Sequence, residues 1–262
     1  MASTRTMGQR RNFRHWQSRG RVMFDRFLAD LDLDRAERTF RKLARHDISR
    51  WALTGGFAAE LHIGQRGASQ SIRTLHDIDF IVGSFDCIPE SLGGDFLLRH
   101  VHPFDPPGKT LLQCVDPETK VRVDVFRAYG SVMQRVSPAD RSAGLPGMIS
   151  LQDLTARAAR LSWDLSANLP IAPKYAKDFL RLLAIVKTDE VEVAWKEHRK
   201  PNAPESFADA ALELRKLIES RADLLVTPTH SLDVNALCER CKDRAAFHLA
   251  DPERIFSLLG YC

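Results

Sequence analysis

The stretch HDIDFIVG, residues 76–83, decides how the chain is read. Asp77 and Asp79 open it, Ile78, Phe80, Ile81 and Val82 fill it, and Gly83 closes it. That is the pattern of a buried strand whose leading end carries two acids. Residues two apart on a strand share one face, with Cα atoms roughly 7 Å apart. Two carboxylates so placed among apolar neighbours repel each other, so they either face solvent at a sheet edge or hold a divalent cation. Magnesium suits such a pair, with manganese as its substitute. A hard cation takes one or two carboxylates and completes its shell with water and phosphate oxygens.

Working upstream, ISRWALT (48–54) reads as a short strand and GGFAAELHI (55–63) as a short helix. Gly55 and Gly56 mark the junction. Glycine is favoured there if the backbone bends sharply or approaches a partner closely. Such a corner exposes backbone N–H groups at the positive end of a helix, a cradle for phosphate. A tight turn alone is the plainer explanation of the pair.

Working downstream, KVRVDVFRAY (120–129) alternates: Val121, Val123 and Val125 on one face, Arg122, Asp124 and Phe126 on the other. If this strand lies beside residues 77–82, Asp124 joins Asp77 and Asp79 in one acidic site. Two metals about 4 Å apart could then clamp the attacking and leaving oxygens of a phosphoryl transfer. Taken singly, a D-x-D pair, a glycine pair or a strand aspartate is a weak signal. Their order is what points to polyphosphate chemistry.

The rest of the chain arranges itself around that centre. A helix is expected from Arg21 to about His46, and a loop over 64–74. FLLRHVHPF (96–104) and TLLQCV (110–115) read as strands separated by the turn DPPGK. After residue 150 the pattern is helical. SLQDLTARAARLSWDL starts with Ser150 and Asp153 in a capping-box-like pair, followed by APKYAKDFLRLLAIV (172–186) and PESFADAALELRKLIESRADLL (204–225). The expected organisation is a basic arm over 1–24, an α/β core with an N-terminal helix over 25–149, and a helical domain over 150–262.

The net charge of +4 is uneven. Residues 1–24 hold six arginines and no acid, which leaves 32 basic against 34 acidic residues elsewhere, a net of −2. The arm could neutralise nucleic-acid phosphates, trail as a solvated tail, or serve as a targeting segment. Five cysteines at irregular spacing argue against a disulfide framework and for a reducing, cytoplasmic setting. Cys238 and Cys241 form a C-x-x-C, but LCERCKDRAAFHLA (237–250) reads equally as a helix, and a zinc site would want a second pair. No apolar run reaches the ~18 residues of a membrane span, and no secretory h-region is evident, so no membrane role is expected.

On LTGGFAAEL, RTLHDIDFIV and VRVDVF, the chain resembles the nucleotidyltransferase superfamily with the DNA polymerase β-like fold. Within it, the chain looks most like the AbiEii/MenT-type toxin nucleotidyltransferases. The resemblance spans roughly residues 50–186. It implies an α+β fold, a small mixed β-sheet flanked by helices with a C-terminal helical region. It also implies magnesium-dependent transfer of a nucleoside monophosphate from an NTP, with release of pyrophosphate. Carried over by position, Asp77, Asp79 and Asp124 are the catalytic and metal-binding acids. Thr54, Gly55, Gly56, Arg73, Lys174 and Lys177 form the nucleotide-binding set, with Asp178 orienting Lys177. An exposed ion-pairing face explains the two lysines equally well. The chain departs from its relatives at Leu75, where threonine is frequent. It also departs in TARAARL (155–161), which lacks the usual lysine.

The acceptor stays open: RNA through the arginine arm, a small hydroxylated molecule such as an antibiotic, or a protein. An antitoxin partner belongs to the toxin resemblance. Two readings from other classes compete. A D-x-D glycosyltransferase would normally place a larger nucleotide-binding domain before the motif than the 76 residues here. A catalytically silent relative that binds RNA or a partner is disfavoured by the presence of all three acids.

Overall fold

The computed structural model describes residues 24–100, 111–137, 146–167, 172–221 and 248–249. The basic arm up to residue 23, the DPPGK turn and all three of Cys238, Cys241 and Cys262 lie outside the described residues.

The fold is α+β, a mixed sheet flanked by helices. Its strands are β1 (Trp51–Leu53), β2 (Asp77–Val82), β3 (Leu97–His100), β4 (Leu111–Val115), β5 (Arg122–Arg127), β6 (Gly147–Met148) and β7 (His248–Leu249). They lie in the order β6-β1-β2-β5-β4-β3-β7. β2 and β5 pair in parallel at the centre, flanked by antiparallel β1 and β4. The two-residue β7 pairs with β3, so His248 and Leu249 belong to a strand and not to the end of a helix.

The central strands are long enough and apolar enough to be covered on both faces. Ile78, Phe80 and Val82 are fully buried, as are Val123 and Val125. Register sets Ile78 beside Val123 and Phe80 beside Val125, so these side chains form one continuous face. Helix α1 (Asp30–Leu43) covers it, with Phe40 packing on Phe80 at a ring-centroid distance of 6.2 Å and on Phe24 at 5.2 Å. A buried ion pair pins α1 further: Lys42 Nζ lies 2.7 Å from Asp116 Oδ1, and the Thr39 hydroxyl donates to Asp116 Oδ2. The helix begins at Asp30, later than its apolar pattern predicts. Residues 25–27 instead turn, and Leu28 forms a parallel bridge to Arg73. Phe24, Phe27 and Leu28 are buried by that turn, which explains why their spacing looks helical.

Helix α2 (Gly55–Gln65) follows β1 directly. Beyond β6 come α3 (Leu151–Ser162), α4 (Ala172–Leu183), α5 (Thr188–His198) and α6 (Phe207–Ser220). The Ser150 hydroxyl accepts from the Asp153 amide at 3.0 Å, the cap the sequence predicts. Helix α5 was not read from the sequence. Its signal is the buried set Val191, Ala194, Trp195 and His198, spaced three, one and three apart.

Arg135, in the connection after β5, ties the sheet to these helices. Its Nη2 donates to Asp153 Oδ1 on α3 at 2.7 Å and to Glu197 Oε2 on α5 at 2.8 Å. Hydrogen bonds from Arg135 and from Ser131 draw the Glu197 pKa down to about 2 from an ordinary 4.5. A carboxylate held low contributes stability that is complete above its unfolded pKa and is lost as pH falls through the folded one. The melting temperature is therefore expected to fall as pH drops from about 4.5 to about 2. The Arg135→Ala variant should melt lower at neutral pH and show a flatter decline; equal slopes in a pH series of thermal melts would refute this coupling.

Candidate active site

The parallel register of β2 and β5 sets Asp77 beside Arg122 and Asp79 beside Asp124. All four side chains therefore leave the sheet on the face opposite the valines. The three acids each offer one carboxylate oxygen, and these oxygens all lie within 4.8 Å of one another. Asp124 is buried, while Asp77 and Asp79 are partly exposed. Two unit charges at about 5 Å repel by roughly 3 kcal/mol at an effective dielectric of 20, so the cluster needs compensation.

Arg122 supplies part of it. Its Nη2 pairs with Asp77 Oδ2, and its Nε stands 3.2 Å from Asp124 Oδ1. The second contact is an ion pair without hydrogen-bond geometry, because Nε is buried with no hydrogen-bond acceptor. Burial works against the Arg122 cation, but the neighbouring Asp124 and Asp77 outweigh that and hold its pKa above the ordinary guanidinium value. Gln113 on β4 donates from Nε2 to the same Asp124 oxygen at 3.0 Å. The sequence reading placed Arg122 on this face without giving it a role. Its signal was the same two-residue alternation that found Asp124.

The glycine corner has a nearer cause than phosphate. Gly55 has φ of +65°, and a Cβ there would stand 1.9 Å from Asp79 Oδ2. The Thr54 amide donates to the Asp79 carbonyl at 2.9 Å. Gly55 is thus required by the approach of Asp79 itself. A Cβ on Gly56 would meet the flexible tip of Arg73 at 2.9 Å, a milder contact. The first N–H groups of α2 have no partner within the helix and lie at its positive end.

The remaining residues expected at the site are placed differently. Arg73 donates from Nε to Glu60 Oε1 at 2.7 Å and pairs through Nη2 with Asp178. Glu60 is fully buried and also receives Arg181, 2.9 Å from its Oε2. Burial alone would raise the Glu60 pKa, yet the two arginines hold it below the usual carboxylate range. Asp178 therefore engages Arg73, where the sequence reading had it orient Lys177. Lys177 is exposed and does not line the pocket. Nothing is described of the Lys174 side chain. The cation that reaches the pocket from the helical region is Arg157 on α3. Its guanidinium lies 5.1 Å over the Phe126 ring, and its Nη1 donates to the Thr54 hydroxyl at 3.4 Å. Among the described residues Arg157 forms no ion pair.

These groups line one pocket of about 210 Å³. Gly55, Gly56 and the three acids form its floor, Arg122 and Arg157 flank it, and Leu154, Tyr175 and Leu182 supply an apolar wall. The donor set suits a hard divalent cation: oxygens only, mutually close, with one half-buried guanidinium among them whose Nε is imperfectly bonded. Cys114 is no rival nucleophile, because burial first, and Asp124 second, push its thiol pKa up.

The fold and site together define an α+β chain with an acidic triad on paired parallel strands. No family model and no curated protein matches the chain. Among solved structures, JHP933 from Helicobacter pylori is 15% identical, with a TM-score of 0.31 over 76% of this chain and 94% of that one. A candidate nucleotidyltransferase from H. pylori is 12% identical, with a TM-score of 0.31 over 75% of this chain and 97% of that one. At such scores neither likeness carries an argument about activity. No helix among the described residues is long and apolar enough to cross a membrane.

Gly55→Ala tests the corner directly. It introduces a Cβ into Asp79 and a side chain at positive φ, so unfolding free energy should drop by about 2 kcal/mol or more. Gly56→Ala should cost clearly less. Equal urea midpoints for Gly55→Ala and the wild type would show that the close approach is absent in solution.

Proposed function

We propose that the protein is a metal-dependent nucleotidyltransferase that moves a nucleoside monophosphate from an NTP to an acceptor hydroxyl. It would be built on the polymerase β-like core, with RNA as the acceptor. The observation that supports this most is the convergence of Asp77, Asp79 and Asp124 within 4.8 Å, facing the glycine-led start of α2 across one pocket. That combination of clustered hard acids and a positive helix end suits a polyphosphate carried with divalent ions.

Asp77, Asp79 and Asp124 would hold magnesium or manganese, which when bound neutralises charge building on the phosphates. The chain's own groups do the rest. The first N–H groups of α2 and the Arg157 guanidinium orient the polyphosphate. Leu154, Leu182 and Tyr175 offer an apolar wall that excludes water from the reacting centre. Asp124, the buried acid, would accept the proton of the acceptor hydroxyl. Its hydrogen bond from Gln113 fixes the carboxylate in one orientation. Most of the acceleration would come from positioning and charge stabilisation, as in phosphoryl transfers generally.

RNA is favoured as acceptor by the six arginines of residues 1–24, which can neutralise backbone phosphates. A toxin role with an antitoxin partner follows only from the sequence resemblance.

Asp79→Asn should reduce NMP transfer at least ~100-fold with little change in thermal stability. Incubating labelled NTPs with total RNA, with the protein alone and with aminoglycosides separates the acceptors. Unchanged transfer by the Asn variant would remove the acid triad from the mechanism.

A further inference from the structure

The geometry points to Arg122 as a resident counter-ion that occupies the acid cluster until a divalent cation displaces it. This inference rests on the metal-binding part of the proposed function and adds a competition to it.

Three observations converge. Arg122 pairs with two of the three acids at once, Asp77 through Nη2 and Asp124 through Nε. It reaches them from β5, directly beside Asp77 in the parallel register, and it lines the open pocket the acids face. Its hold on Asp124 is incomplete, since the buried Nε lies 3.2 Å from Oδ1 yet donates a hydrogen bond to nothing. A hard cation could use the same Asp77 and Asp124 oxygens, and it would have to share them with a guanidinium that cannot give up its proton. Charge forbids full occupancy by both: a divalent ion against an arginine within contact distance of shared oxygens is repelled strongly in a half-buried site.

The displaced guanidinium has a destination. Arg122 lines the same pocket as Gly55, Gly56 and Arg157. Turned away from the acids, it would add a second planar donor toward an anion on the α2 corner. Metal entry thereby converts the pocket from net acidic, with Arg122 neutralising only part of the cluster, to anion-binding, which couples cation and polyphosphate uptake. A metal-free polyphosphate would meet an arginine already engaged by its own carboxylates.

Two measurements test this on the full chain. The first is Mn2+ binding by calorimetry and by electron paramagnetic resonance for the wild type, Arg122→Gln and Arg122→Lys. Arg122→Gln should bind Mn2+ about tenfold tighter than the wild type, because the competing charge is gone. Its thermal stability without metal should drop, and its gain on adding Mn2+ should exceed the wild type's. Arg122→Lys should stay near the wild-type affinity, since it keeps the charge. The second follows the arginine Nε–H signals of wild-type protein by NMR during Mg2+ titration, with Arg122 assigned through the Lys variant. Its signal should shift with the same midpoint as calorimetric Mg2+ binding. Should Arg122→Gln fail to fold, the NMR titration decides alone. A wild type that binds Mn2+ while Arg122→Gln binds it equally or more weakly, or an Arg122 signal unmoved by bound Mg2+, overturns the displacement and leaves the proposed function standing. A wild type that binds neither ion overturns both.

Discussion

Like charges forced together on two adjacent parallel strands are the constraint around which this molecule is arranged. β2 and β5 could pair in other registers without disturbing their apolar face much, since apolar residues recur at every second position along both: Ile78, Phe80 and Val82 on β2, Val123 and Val125 on β5. The register observed sets Asp79 directly beside Asp124, a pairing that a sheet selected for stability alone would avoid. Compensation is built from every side. Arg122 lies beside Asp77, Gln113 reaches across from β4, and the Thr54 amide fixes the backbone of Asp79. The burial of Ile78, Phe80, Val82, Val123 and Val125 on the reverse face holds the strands in place despite the repulsion.

The helices are fastened to one another and to the sheet by two three-membered ion-pair networks. Glu60 on α2 gathers Arg73 and Arg181, while Arg135 gathers Asp153 and Glu197. Buried ion pairs contribute little net stability compared with apolar packing, but they punish a wrong arrangement heavily, because separating them leaves a charge unpaired. That property suits connections whose purpose is placement. Through Arg73 the first network reaches Asp178, and through α3 the second fixes the helix that carries Arg157. Both ends of the pocket are thus located by directional contacts, and its apolar wall by packing.

The sequence made the floor of the site readable, because its determinants are local and periodic. Two-residue alternation found Asp77, Asp79 and Asp124, and the junction of strand and helix marked Gly55. What it hid were pairings between residues far apart in the chain. Gly55 was read as leaving room for phosphate, whereas its immediate neighbour is Asp79, which no local pattern predicts. Asp178 was linked to Lys177 through the resemblance to a Lys-Asp helix, yet a helix turns adjacent side chains about 100° apart and Asp178 meets Arg73 instead. Helix α5 escaped because charged residues dilute its apolar stripe. The early start expected for α1 came from a turn whose buried phenylalanines imitate helical spacing.

Charge balance also discriminates between ligand classes for the pocket. Asp77, Asp79, Asp124 and Asp178 line it against Arg122 and Arg157, and Arg122 and Asp178 are already engaged by opposite charges. A neutral ligand would gain nothing from such a concentration of acids and would have to displace Arg122 or leave it idle. A free polyanion would be repelled by the triad at a few kcal/mol per charge pair. A polyanion accompanied by divalent cations meets neither obstacle: the acids attract the cations, and Arg157 and the start of α2 attract the anion. Under the proposed function, the apolar wall next to them would take a flat, weakly polar group attached to that anion, the combination that a nucleotide presents.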